Sequence, residues 1–379
     1  MGRSCNLLFA LAVFILLHHH ISLAIVPNIS TNEAALLALK SHISSHRNNI
    51  LARNCNNSFY GELPVKLAHL QRLKLISVTS NNFTGNIPSF LSLLPNLRFV
   101  YLSSNQFSGE IPSSLSNLTK LKELRIQNNF LKGEIPRGIS DLHYLTILDL
   151  QLNELTGSIP TSIFNITMMQ NIALTENNLT GQLPITICNH LPNLKGLHLS
   201  KNYLSGVIPP NIEKCRKLQI LSLSLKEFIG TVPRELSNLT ALTGLYISDL
   251  HLEVPSIFRK QAFSSISNSS KLRRIDLSIN SFTGLIPESL GNLRYLEHLN
   301  LAGNTFFSDT TFSSLTPLTN CRNLRVLSFD GNQLDSTFPT SVGNFSNSSQ
   351  TFTAPDCKLK GIIPKEIGNL TGVIHMSLH

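Results

Sequence analysis

The chain of 379 residues has no tryptophan, and charged residues make up 14% of it. Beyond Ala24 it holds no run of 18 apolar residues, whereas a helix needs about 20 to cross a bilayer, so no membrane span is expected there. Motifs that carry chemistry are missing as well: there is no GxSxG, HExxH, GxxxxGK or kinase signature. Catalysis therefore has no support in the sequence, and no cofactor is implied. No CxxC pair or His/Cys cluster offers the ligand spacing that zinc needs. Lys and Arg occur scattered, without interleaved aromatics, so nucleic acid is not indicated as a partner.

What the chain does have is repetition. In Leu118–Pro136, LTKLKELRIQNNFLKGEIP, residues Leu121, Leu124 and Ile126 stand 8, 5 and 3 positions before Asn129, and Leu131, Gly133 and Ile135-Pro136 follow it. The pattern LxxLxLxxNxLxGxIP returns with reference positions Asn57, Asn81, Asn105, Asn129, Asn153, Asn177, Asn202, Lys226, Leu250, Asn280, Asn304, Asn332 and Cys357, mostly 24 residues apart. This spacing predicts about thirteen turns of a solenoid over 57–379.

The letters of one turn have physical reasons. Leu124 and Ile126 alternate with Glu123, Arg125 and Gln127, so a short strand turns its apolar side chains inward and its polar ones outward. One turn cannot bury that inner face alone; stacked turns pair their strands in parallel and share a continuous core. The reference Asn leaves the strand with an amide able to bond its own and the neighbouring backbone, forming an Asn ladder. Gly supplies a positive φ for the next bend, and Pro needs no donor.

With these residues the chain resembles the plant-type leucine-rich repeat, and with AALLALKSHI near its start it is similar to the ectodomains of plant leucine-rich-repeat receptor-like kinases, particularly those sensing microbial patterns. The resemblance implies an α/β solenoid with a parallel β-sheet on the concave face and a short N-terminal capping helix. It also implies an extracellular ligand-recognition module, for an extracellular peptide or protein ligand and a co-receptor ectodomain, without the kinase half.

Taken in order, Met1–Ala24 reads as a secretory signal, with Arg3, the apolar run Leu7–Leu17 and Ser22-Leu23-Ala24 before a cut. The chain is then expected in the extracellular space, or at the plasma membrane if part of a full-length receptor. Residues 25–56 read as an incomplete N-terminal cap: Ser30 and Glu33 form a capping box ahead of Leu36, Leu39 and Ile43, but the tryptophan and paired cysteines of the resembled family are absent. After the signal, Cys55, Cys188, Cys215, Cys321 and Cys357 are odd in number. Cys188 and Cys215 stand out of register, so no bridge is expected between them, and Cys215, Cys321 and Cys357 read as small buried thiols.

The repeat loosens after Asn202: Lys226 and Leu250 replace the ladder Asn, Leu252–Ser270 reads as a bulged convex loop, and Asn304 to Asn332 is long. His379 falls inside what would be a fourteenth strand, after Val373, Met376 and Leu378. Sequons occur at Asn28, Asn56, Asn82, Asn117, Asn165, Asn178, Asn238, Asn268, Asn344, Asn347 and Asn369. None falls at an outward strand position, so glycans would clothe the convex and lateral sides and leave the concave sheet bare.

Recognition is accordingly expected on outward positions of the regular turns whose reference positions run from Asn105 to Asn202: Phe99, Tyr101, Glu123, Arg125, Gln127, Asp149, Gln151, Thr175 and His198, with Ser103, Ile147, Asn171, Ala173, Gly196 and Ser200 between them. Phe99 and Tyr101 read as exposed apolar anchors beside charged neighbours. The net charge of +9 suits acidic peptides or anionic wall polysaccharides, or is a solvated basic surface. Two further readings stand beside the binding module: a secreted inhibitor of cell-wall-degrading enzymes, and the front half of a serine/threonine kinase.

Overall fold

The computed structural model describes residues 58–224, 227–249, 251–252 and 270–379. The signal, the cap with Cys55, the sequons Asn28, Asn56 and Asn268, the substituted ladder positions Lys226 and Leu250, and nearly all of the expected loop after Leu252 lie outside them.

One three-residue strand per turn builds a 13-stranded parallel sheet whose order follows the chain, from Leu75–Ser77 to His375–Ser377. Register is strict: Val100, Leu124, Leu148 and Ile172 lie side by side in neighbouring strands, as do Tyr101, Arg125, Asp149 and Ala173. The last strand lies after Val373 as expected, but it ends at Ser377, so His379 falls beyond it and not inside. Inward residues fill one core that runs the length of the stack; Leu121, Leu124, Ile126 and Leu131 are fully buried.

The Asn ladder forms. Asn153 donates from Nδ2 to Ile126 O at 3.2 Å, Leu150 O at 3.0 Å and Gln151 O at 3.1 Å, and its Oδ1 accepts Leu131 N–H at 3.1 Å. One amide thus satisfies buried backbone groups on two turns that no sheet bond reaches. Cys357 fills the donor half of that role, its Sγ lying 3.2 Å from Phe329 O. At Asn280 the Nδ2 bonds persist, but the buried Oδ1 finds no partner among the described residues.

Past the Asn, Gly133 takes φ 72° and each Ile-Pro step opens a five-residue 3₁₀ helix, such as Arg137–Asp141 after Pro136. These helices line the convex side and short second sheets run along one flank, as at Thr180–Gln182 and Tyr203–Gly206. The periodicity of the strand did not announce either feature. The long turn before Asn332 spends its extra residues on a helical turn, Leu315–Leu318, that seats Phe312 against Phe329 with ring centroids 5.2 Å apart.

One cysteine expectation is overturned. Cys188 and Cys215 form a disulfide, with Cα atoms 5.3 Å apart. Both lie on the convex side, where no hydrogen-bond ladder holds the turns in step, so their sequence offset does not measure their separation. Cys321 and Cys357 are buried thiols as expected.

Candidate functional site

The outward side chains of the Phe99–Tyr101, Glu123–Arg125, Ile147–Asp149 and Gly196–His198 strands share one concave surface, because parallel in-register pairing stacks them in columns. Phe99, Tyr101, Glu123, Arg125, Gln127, Asp149, Gln151, Thr175 and His198 all point there and all are half-buried.

They are not independent. Tyr101 donates its hydroxyl to Glu123 Oε2 at 2.8 Å, Arg125 Nε donates to the same oxygen at 3.0 Å, and the guanidinium lies 5.5 Å from the Tyr101 ring centroid. Burial, then the hydrogen bond to the Glu123 carboxylate, pushes the Tyr101 phenol up to about 12. The anchors are therefore not the exposed aromatics that the sequence suggested: Phe99 and Tyr101 pack together at 6.2 Å, and Tyr101 is clasped by its charged neighbours. Further along, Gln151 Nε2 donates to Asp149 Oδ1 at 3.0 Å, and Ser103 Oγ meets Gln127 Oε1 at 2.6 Å. His198 is held below the usual imidazole range by burial, which Asp149 partly opposes.

Four outward positions prove to be buried: Ser103, Ala173, Gly196 and Ser200. Their side chains are short and neighbours lean over them. A Cβ at Gly196 would collide with Asn171 Oδ1 and would lie 2.8 Å from His198 Nε2. The surface is thus a shallow floor of small groups between a Tyr-Glu-Arg cluster and His198. Among the described residues no group of His, Cys, Asp or Glu is placed to hold a metal ion, and no helix is long and apolar enough to cross a membrane.

Asn82, Asn117, Asn165, Asn178, Asn238, Asn344, Asn347 and Asn369 are all exposed, and none projects from a strand of the large sheet. Asn117, Asn165, Asn238 and Asn369 each end a 3₁₀ helix.

The family described as Leucine Rich Repeat matches residues 96–118, 120–142, 144–166, 193–215, 271–293 and 323–345. Those six segments are leucine-rich repeats. Relatives of this repeat protein include Receptor-like protein 41 of Arabidopsis thaliana, 30% identical over 158 residues, 41% of this chain and 17% of that one. The receptor kinase-like protein Xa21 of Oryza sativa subsp. japonica is 38% identical over 96 residues, 24% of this chain and 9% of that one. Among solved structures, a TDR receptor superposes with TM-score 0.73 at 30% identity, covering 85% of this chain and 54% of that one. The Arabidopsis receptor kinase HAESA, in complex with the peptide hormone IDA and the co-receptor SERK1, superposes with TM-score 0.71 at 28% identity, covering 86% and 56%. The repeat protein therefore spans less than a fifth of these curated relatives and about half of these receptor chains.

Proposed function

We propose that this repeat protein is the extracellular recognition module of a plant receptor-like protein or receptor-like kinase, and that it takes an extended peptide across the concave sheet. The observation that carries the reading is the outward column Tyr101, Arg125 and Asp149 on adjacent strands, with Glu123 fixing the first two. Groups already held in place lose little freedom when a ligand arrives. Their mixture of ring, cation and carboxylate gives an extended chain both a packing face and charge-assisted hydrogen bonds. A peptide ligand and a co-receptor accompany HAESA, and that supports the same pairing here, at the cell surface in immune or developmental signalling.

The test is binding of candidate peptides by the intact receptor, with Tyr101→Ala, Arg125→Ala and Asp149→Ala made singly. Each is expected to weaken binding tenfold or more. If all three bind as wild type while substitutions on the convex 3₁₀ helices abolish binding, the concave assignment is wrong.

A further inference from the structure

The lysines and arginines, which look scattered in the sequence, gather on one edge of the solenoid. Each strand is led in by five residues such as LTKLK at Leu118–Lys122, and these segments stack. Arg98 N–H bonds Lys74 O at 2.8 Å, Lys122 N–H bonds Arg98 O at 2.7 Å, and the same step recurs turn by turn up to Ile374. Among the described residues of these segments, every Asp, Glu, Lys or Arg except Glu297 is a Lys or Arg. Glu297 is itself paired with Arg273 at 2.7 Å. The opposite edge, where the chain leaves the Asn ladder, is mixed: acids such as Glu110, Glu134 and Glu154 stand there with Lys132, Lys358 and Lys360, and Lys132 and Lys360 are paired with Glu154 and Asp335.

Three of the leading-edge lysines are ordered without being neutralised. Lys120 Nζ donates to Asn96 Oδ1 at 2.9 Å, Lys195 Nζ to Gln170 Oε1 at 3.1 Å and Lys217 Nζ to Asn193 Oδ1 at 2.8 Å. An amide oxygen orients an ammonium group and leaves its charge intact. On the same edge Tyr144 and Tyr295 are 59% and 54% exposed.

We propose that this edge binds a linear polyuronate, a chain of sugars with one carboxylate on each ring. Successive strands are about 4.8 Å apart, close to the length of one sugar unit in such a chain, so its carboxylates can reach cations on the adjacent turns of Lys74, Arg98 and Lys120/Lys122, and again on those of Lys195 and Arg216/Lys217. The exposed tyrosines present flat apolar faces on which sugar rings pack, and Gln170 Nε2 can donate to a sugar hydroxyl. Where sequons Asn165, Asn238 and Asn369 immediately precede a leading segment, that segment contains no Lys or Arg. At Asn117 the two adjoin.

The test uses the 379-residue chain with unesterified galacturonate oligomers, their fully methyl-esterified form, and poly-glutamate. Binding to the unesterified oligomers is expected to weaken steeply with salt and to vanish on esterification. The triple variant Arg98→Glu/Lys120→Glu/Lys122→Glu is expected to lose at least tenfold, and Tyr144→Ala severalfold. Lys132→Glu/Lys358→Glu/Lys360→Glu changes the net charge equally on other surfaces and is expected to keep wild-type affinity. Unchanged thermal melting of each variant separates lost contacts from lost folding. No binding of the unesterified oligomers, or equal loss in both triple variants, overturns the proposal. Equal affinity for poly-glutamate with no effect of Tyr144→Ala assigns the edge to acidic peptides instead. Peptide binding on the concave sheet stands or falls separately.

Discussion

Glu123 and Arg125, two residues apart on one strand, close a salt bridge of 3.0 Å across the concave surface while Leu124 between them is fully buried. The side chains are 20% and 38% exposed, so solvent screens the pair and its worth is modest. Glu123→Gln or Arg125→Ala is expected to cost under about 1 kcal/mol of stability. Leu124→Ala should cost about 2 to 5 kcal/mol through lost burial and the cavity left behind. Chemical denaturation of the three variants checks this; equal losses would reject the register.

Removing the Cys188–Cys215 bridge, which closes a separation of 27 residues, should lower stability by about 3 to 4 kcal/mol on the loop-entropy scale. Cys188→Ser/Cys215→Ser melting earlier than wild type is the expected result, and an unchanged melt would count against it. Cys321 and Cys357 should resist alkylation at neutral pH until the protein is denatured. Burial pushes the Cys321 thiol up to about 12 and raises Cys357 as well, so little reactive thiolate is present.

The residue before each ladder Asn among the described residues is held left-handed even where it is not glycine, because its N–H must reach the next turn. Ile279 has φ 54° and donates to Ala302 O at 2.8 Å. A β-branched side chain is costly in that conformation and Asn is tolerated. Ile279 is also exposed, so Ile279→Asn sacrifices no core packing. It is expected to gain about 1 kcal/mol, read as a higher melting temperature; a lower one would show that the apolar contact outweighs the strain.

His198 and His298 are both held below the free imidazole value of 6.5, each chiefly by burial, with Arg274 adding to the effect at His298. Between the folded and unfolded values the unfolded chain binds more protons, so stability is greatest above 6.5 and falls as pH drops towards the folded values. His198→Gln/His298→Gln should flatten melting temperature against pH in that window. An equally steep decline in the double variant would place the acid sensitivity elsewhere.

The repeat was legible because its physics is local to one turn: Leu124 and Ile126 had to point inward together, Asn129 had to bond its own strand exit, and Gly133 had to supply a left-handed bend. Any chain obeying those constraints at a fixed period must stack, so the core, the ladder and the outward identity of Tyr101, Arg125 and Asp149 could be read from spacing alone. What spacing could not show is whatever depends on neighbours from different turns. Cys188 and Cys215 meet because convex segments of successive turns slide independently of the sheet register. Gly196 loses its exposure because Asn171 leans across from the neighbouring strand, Ser200 meets Ser222 on the next one, and Tyr101 becomes a clasped ring because Glu123 lies one strand away. The gathering of cations on the leading edge is also a product of stacking: residues 24 apart along the chain become nearest neighbours only once the parallel sheet has formed.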